Sequence, residues 1–192
     1  MGRDKAWLEW GDRTLLEWVA TRCAQGAAEL VLAVGRLDRD LPPALGAFRR
    51  IPDERPGQGP LAGIEALLGA IRTDWLVAMP CDMPWITAED IGRLRRVVSR
   101  EAEAKGAVFS VDGHLEPFPM LLHRSARPVL QRLLDEGRRE VLGPTAELSF
   151  VEVPTAAGQR FRNLNEPGDY ERAVKDFATQ SLSRHPQGDN GG

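Results

Sequence analysis

The sequence predicts an α/β sandwich: three layers, αβα, of the Rossmann-like type with a mainly parallel sheet. Three observations predict it. Continuous apolar runs such as ELVLAV (Glu29 to Val34) and WLVAM (Trp75 to Met79) have the composition of strands buried on both faces. Amphipathic helical stretches alternate with those runs. Loops rich in glycine, proline and aspartate follow them directly, and in such sheets ligands bind outside the carboxyl ends of the strands.

Element by element, Thr14 to Gln25 predicts a helix with Leu15, Leu16, Val19 and Cys23 on one face, ended by Gly26. Glu29 to Val34 is the first buried strand, and Phe48 to Ile51 a short one. Pro60 to Ile71 is helical, with Pro60 tolerated in the first turn. Trp75 to Met79 is a strand stopped by Pro80. Thr87 and Asp90 form a capping pair for a helix expected to run to about Lys105, where Gly106 would stop it. Ala107 to Val111 and Pro119 to His123 are strand candidates flanking a turn at Gly113. A helix opens at Ser125 or Arg127 and ends near Gly137. Leu148 to Val153 and Phe161 to Leu164 are expected as strands, and Asp169 to Phe177 as a last helix. Residues 1–178 are expected to form one domain. Residues 179–192 (TQSLSRHPQGDNGG) are polar and rich in breakers, so a disordered tail is expected.

Composition narrows the function classes. With 192 residues, 42% hydrophobic and 28% charged, the chain has the make-up of an ordinary globular protein. A net charge of −3 offers no broad attraction to nucleic acid or anionic lipid, so neither partner is expected. Two cysteines, Cys23 and Cys81, are too few for a disulfide framework and form no C-x-x-C zinc pattern. No apolar run approaches the ~20 residues of a membrane span, and the opening residues carry no signal-peptide pattern, so a cytoplasmic location is expected. His114, His123 and His185 are scattered, and GxxxxGK[ST] does not occur.

Four stretches carry candidate chemistry. PDERPGQGPLAGIEAL follows the strand at Ile51. Its Asp53 could bond a base edge or a ribose hydroxyl, and Gly57, Gly59 and Gly63 would let backbone approach a ligand at a helix start. A glycine-rich turn with a solvated aspartate fits the same residues. MPCDMP follows the strand at Met79. It pins Asp82 between Pro80 and Pro84 at the mouth of the sheet, where a carboxylate suits Mg²⁺ and, through it, a triphosphate; hydrogen bonding within its own turn is the alternative. In NLNEP, Asn163 and Asn165 alternate along an extended segment, to orient a phosphate, reach a metal or cap the next helix. Lys5, one of three lysines in an arginine-rich chain, is a compact cation suited to phosphate.

In this order the stretches resemble the MobA-type molybdenum cofactor guanylyltransferases, from Met1 to about Phe177. Met1-Gly2-Arg3-Asp4-Lys5-Ala6 matches the end of the opening motif LAGGxSxRMGxDKA. Asp53 with Pro56-Gly57-Gln58-Gly59-Pro60-Leu61-Ala62-Gly63 is similar to its D…GPLAG segment, Pro80-Cys81-Asp82-Met83-Pro84 to its CDMP loop, and Asn163-Leu164-Asn165-Glu166-Pro167 to NxNTPED, with Glu166 where Thr is usual. The resemblance implies transfer of GMP from GTP to Mo-molybdopterin, with pyrophosphate released. It implies Mg²⁺ on Asp82, Lys5 and Asp82 as catalytic residues, and a nucleotide held by Lys5, Asp53, Gly59, Pro60, Leu61, Gly63 and Asp82. The pterin side would include Pro119, Asn163 and Asn165. Molybdopterin-delivery proteins and molybdoenzymes stand open as further partners. A cytidylyltransferase of the same fold, or a non-catalytic remnant that binds cofactor or a partner, are the alternatives. The first strand and the LAGGxSxR half of the opening loop have no counterpart here, so the expected domain is N-terminally truncated.

Overall fold

The computed structural model describes residues 5–38, 40–156, 158–164 and 168–175. A 3₁₀ turn, Lys5–Trp7, leads into a small hairpin of β1 (Glu9–Trp10) and β2 (Arg13–Thr14), then α1 (Leu15–Ala24). There follow β3 (Val31–Gly35), β4 (Arg49–Pro52), α2 (Pro60–Ala70), β5 (Trp75–Ala78) and α3 (Ala88–Val98). The second half holds β6 (Gly106–Val111), β7 (His114–His123), α4 (Arg127–Asp135), β8 (Phe150–Thr155) and a helix, α5, over 168–175.

The strands form two larger sheets. One pairs β3 with β4 in parallel; the other has the order β5-β7-β6-β8. β6 and β8 are parallel, whereas β7 runs antiparallel to both neighbours, so the sheet is mixed. Alternation along the strands sorts the core into two layers. Met120 and Leu122 of β7, with Val108 of β6, face Leu61, Ile64 and Leu68 of α2 and Leu130, Leu133 and Leu134 of α4. Leu121, Ala107 and Phe109 face the other way, against Ile91 and Leu94 of α3. Helices thus cover both faces, as the αβα expectation requires. A third cluster packs Leu15 and Val19 of α1 on Trp10, Leu164 and Ala173 of α5. Trp10 is core, whereas Trp7 is 43% exposed.

Caps explain the helix starts. The Thr14 side chain accepts from the Glu17 amide while the Glu17 carboxylate accepts from the Thr14 amide, and Thr87 and Asp90 repeat the arrangement for α3. Three expectations are corrected. α3 ends at Val98 rather than near Lys105: Arg100 to Glu103 offer no apolar face, and the chain turns. Gly106 opens β6 instead of stopping a helix, because a Cβ there would stand 2.5 Å from Phe150 Cε1 and 2.8 Å from the Leu121 carbonyl. The segment from Phe161 to Leu164 is not a strand: Gly158–Phe161 is a 3₁₀ turn, and 162–164 make no ladder among the described residues. No described helix is long and apolar enough to cross a membrane. Residues 179–192 lie outside the described residues.

Candidate functional site at the carboxyl end of β5

Asp82 sits four residues beyond the end of β5 and is 9% exposed. Its loop is held by main-chain oxygens. The Trp18 indole N–H donates to the Pro84 carbonyl (2.9 Å), Arg22 Nε to the Ile86 carbonyl (3.1 Å), and the Leu164 amide to the Asp82 carbonyl (3.1 Å). Met83 and Ile86 anchor the same loop in the core beneath α3. The Asp82 side chain is therefore presented by a fixed frame built from α1, the β5 loop and the 158–164 segment.

The Lys5 ammonium lies 2.8 Å from Asp82 Oδ2, joining residues 77 apart in sequence. The other oxygen, Oδ1, is buried with no hydrogen-bond partner, and so is Asn163 Oδ1 in the segment pinned to the Asp82 carbonyl. An unpaired buried acceptor is costly, and oxygens of this kind would suit a hard cation, which takes oxygen ligands. No group of three or more His, Cys, Asp or Glu with metal-binding arrangement exists among the described residues. A site with one carboxylate would suit only an ion such as Mg²⁺ that takes its remaining ligands from phosphate and water.

Asp53 directly follows β4. Its amide donates to the Gly35 carbonyl (3.1 Å), and its carboxylate occupies the space beside Gly35 and Gly63, so Gly63 serves as packing room for this side chain. The loop onward is tied to α4 by Arg55 to Asp135 (2.6 Å) and by Arg127 to Glu54 (3.3 Å). Gly59, at φ +78°, makes the bend into α2, with Pro60 in the first turn and no side chain capping the helix start. The helix dipole makes this start an anion-seeking end, although the Ala62 amide already donates to the Gly59 carbonyl (3.2 Å). Leu61 is fully buried in the core, so only its backbone is available to a ligand.

Pro119 lies in β7 next to Met120, which pairs with Ala78 at the end of β5, so it is on the Asp82 side of the sheet. Asn165 lies outside the described residues. Three residues of this region escape sequence reasoning. Trp18 and Arg22 hold the Asp82 loop through main-chain oxygens, a contact that leaves no trace in a motif. Gln58 Oε1 is buried without a partner at the Asp53 loop, and only its place inside the glycine-rich stretch pointed there.

Cys23, on α1 behind this loop, has Sγ 3.9 Å from Met79 Sδ. Burial pushes its thiol from 9.0 up to about 12, against a smaller downward pull from Arg22. Below pH 9.0 the thiol is neutral in both folded and unfolded chains; above it only the unfolded chain ionises. Stability therefore falls as pH rises toward 12, by up to about 1.4 kcal/mol per unit. Urea unfolding at pH 8 and pH 10 is expected to show wild type losing roughly 1 kcal/mol more than Cys23→Ala. Equal losses would refute the buried neutral thiol.

The profile of the family described as MobA-like NTP transferase domain matches residues 1–149. A probable molybdenum cofactor guanylyltransferase of Opitutus terrae is 31% identical over 187 residues, covering 93% of this chain and 90% of that protein. A molybdenum cofactor guanylyltransferase of Shewanella amazonensis is 30% identical, covering 91% and 88%. The crystal structure of molybdopterin-guanine dinucleotide biosynthesis protein A from Archaeoglobus fulgidus superposes with a TM-score of 0.73 at 23% identity, covering 93% of this chain and 92% of that one. The 2-C-methyl-D-erythritol 4-phosphate cytidylyltransferase of Thermus thermophilus shares the fold, with a TM-score of 0.67 at 18% identity over 94% of each chain. Matched by that profile over more than half its length, and by a relative over nearly all of it, the chain belongs to the MobA-like NTP transferase family.

Proposed function

We propose that this protein transfers GMP from GTP to Mo-molybdopterin, forming molybdenum guanine dinucleotide and releasing pyrophosphate. The observation that carries the reading is the Asp82 carboxylate beyond the carboxyl end of β5, with one oxygen on the Lys5 ammonium and the other buried without a partner, in a loop bonded to the segment that carries the unpartnered Asn163 Oδ1. The names of the relatives supply the nucleotide and the acceptor.

In this reading Asp82, with Asn163, would hold Mg²⁺, which would supply charge neutralisation to the phosphates. Lys5 turns from Asp82 to the triphosphate and balances charge as the leaving group departs. The open start of α2 at Gly59 and Pro60 faces phosphate oxygens, and Asp53 accepts from the nucleoside. A terminal phosphate oxygen of molybdopterin attacks the α-phosphorus in line. The new P–O bond forms as the bond to the β-phosphate oxygen breaks, and the electron pair leaves on pyrophosphate. No covalent enzyme intermediate is required, so positioning and electrostatics carry the acceleration. Pro119 and Asn163 would line the acceptor side.

The test is equilibrium binding of GTP and CTP, each with and without Mg²⁺. GTP is expected to bind at least tenfold more tightly than CTP, about 1.4 kcal/mol, and only with Mg²⁺. CTP binding as tightly as GTP overturns the guanine assignment; affinity for neither overturns the nucleotide site.

A further inference from the structure

One stripe of α4 carries three polar side chains, each a helical turn from the next: Arg127, Gln131 and Asp135. The neighbouring stripe, Leu130, Leu133 and Leu134, is buried in the core. All three polar side chains reach α2 or the loop that follows β4. Arg127 Nε donates to Glu65 Oε1 (2.7 Å), and Gln131 Nε2 donates to the same oxygen (3.0 Å). The far end of the guanidinium, Nη2, lies 3.3 Å from Glu54 Oε2, and Asp135 Oδ1 lies 2.6 Å from Arg55 Nη1. Two ion pairs from α4 therefore hold the two residues that follow Asp53.

α2 is shaped for this contact. Gly69 stands one turn after Glu65, and a Cβ there would lie 2.5 Å from Arg127 Cζ and 2.8 Å from each Nη. Glycine within a helix is unfavourable relative to alanine, and here it makes the notch in which the guanidinium lies. Glu65 is the one charged residue of α2, is 1% exposed, and has Oε2 buried without a hydrogen-bond partner. A buried carboxylate with one unsatisfied oxygen is a poor way to join two helices, since apolar side chains of similar volume do so at least as well. What it provides is a fixed seat for Arg127. The loop needs outside support: Gly57 and Gly59, at φ +77° and +78°, make its backbone pliant, and its Gln58 amide reaches the Arg55 carbonyl only at 3.3 Å.

We propose that α4 braces the nucleotide loop and that Arg127 is its positioning residue: seated in the Gly69 notch and anchored on Glu65, its guanidinium holds Glu54 and so fixes Asp53 beside Gly63. This rests on the guanylyltransferase reading, in which Asp53 accepts from the nucleoside. Arg127 acts through Glu54 rather than on the nucleotide. Arginine suits the task because its planar fork meets two carboxylates in one fixed geometry, whereas lysine presents a single point charge. The sign of the effect separates positioning from bulk electrostatics. Glu54 is an anion next to a site for a polyanion, so removing its charge would by Coulomb's law alone strengthen GTP binding. A brace predicts the opposite: binding weakens when the contact is cut.

The test joins amide hydrogen exchange of residues 54–58 in the free protein to magnesium-dependent GTP binding and kcat, for Glu54→Gln, Gly69→Ala and Arg127→Lys. Glu54→Gln leaves the buried Arg127–Glu65 pair intact, so it keeps the test independent of any folding defect in the other two. In all three the loop amides are expected to exchange several-fold faster. The Kd for GTP is expected to rise about two- to fivefold, the scale of one exposed ion pair, with kcat at saturating GTP within about twofold of wild type. The Glu54→Gln/Arg127→Lys double variant is expected to bind GTP as the weaker single does, because both changes cut one contact. Arg132→Gln, which breaks pairs to Glu136 and Glu147 on the same helix without touching the loop, is expected to alter neither readout. Unchanged loop exchange in Glu54→Gln overturns the brace. So does faster exchange with unchanged or tighter GTP binding, and so do effects that multiply in the double variant. A wild-type protein without affinity for GTP sinks the guanylyltransferase reading instead; loop exchange needs no nucleotide and still decides whether α4 braces the loop.

Discussion

Asp82→Ala is expected to lower magnesium-dependent nucleotidyl transfer by about 10²–10³-fold, about 2.7–4 kcal/mol of transition-state stabilisation, with little change in stability. The two halves of that expectation rest on different atoms. The contacts that hold the loop go to the carbonyl oxygens of Asp82, Pro84 and Ile86, all of which survive truncation of the side chain. What alanine removes is the carboxylate: one oxygen on Lys5 and one buried without a partner. Removing an acceptor that nothing satisfies relieves a desolvation cost in the free protein, so the folded state loses only the Lys5 pair, which is partly exposed and modest in worth. Asp82→Asn separates charge from shape, since it keeps an oxygen in place while weakening attraction for Mg²⁺. It is expected to raise the magnesium concentration needed for half-maximal GTP binding more than it alters GTP affinity at saturating metal. Steady-state kinetics over a magnesium titration, with thermal melts of each variant, measure both quantities. Transfer rates within about threefold of wild type would remove Asp82 from the mechanism.

Much of this frame can be read from the sequence, because local chemistry dictates it. Thr14 with Glu17, and Thr87 with Asp90, announce helix starts through side chains that reach only three residues. Continuous apolar runs mark β3 and β5, since strands covered on both faces have no polar side to betray. Reading fails where partners are distant. After the turn at Gly113, β7 is expected to begin only at Pro119; it begins at His114. Its prolines fall where the β6/β7 register slips between the Ala107–Leu121 and Phe109–Glu116 pairs, a stretch in which missing N–H groups cost little. The antiparallel direction of β7 was equally hidden, because periodicity reports burial and not polarity of the chain. At the site, Lys5 and Asp82 each stand out by residue type and loop position, but only the fold brings the ammonium to the carboxylate. Leu61 shows the reverse: a motif position whose side chain belongs to the core. Gly63 also belongs to packing, beside Asp53.

Phe109→Ala is expected to cost about 3–5 kcal/mol of stability and to loosen the site from behind. Phe109 is fully buried in β6, its ring centroid 4.9 Å from that of Phe161, with the Arg93 guanidinium 5.1 Å from its centre. The cavity left by alanine lies between α3 and the sheet, where Ile91, Leu94 and Val153 are already packed and can close it only partly. Loss of the aromatic pair adds about 0.5–1.5 kcal/mol beyond area burial. The consequence for function runs through Phe161. That ring, the Arg160 contact to buried Asp90 (3.2 Å) and the Leu164 bond to Asp82 (3.1 Å) fix the short irregular segment that carries Asn163. With the Phe161 anchor gone, Asn163 Oδ1 is no longer held beside the Asp82 loop, and magnesium-dependent GTP affinity is expected to fall several-fold in the fraction that remains folded. Phe109→Leu keeps most of the apolar volume and is expected to recover most of the stability while recovering less of the affinity, because leucine does not reproduce the ring-on-ring contact. Urea unfolding and magnesium-dependent GTP titration of the two variants separate these effects. A Phe109→Ala protein that loses stability yet binds GTP with wild-type magnesium dependence would show that the 158–164 segment holds its place without the aromatic pair.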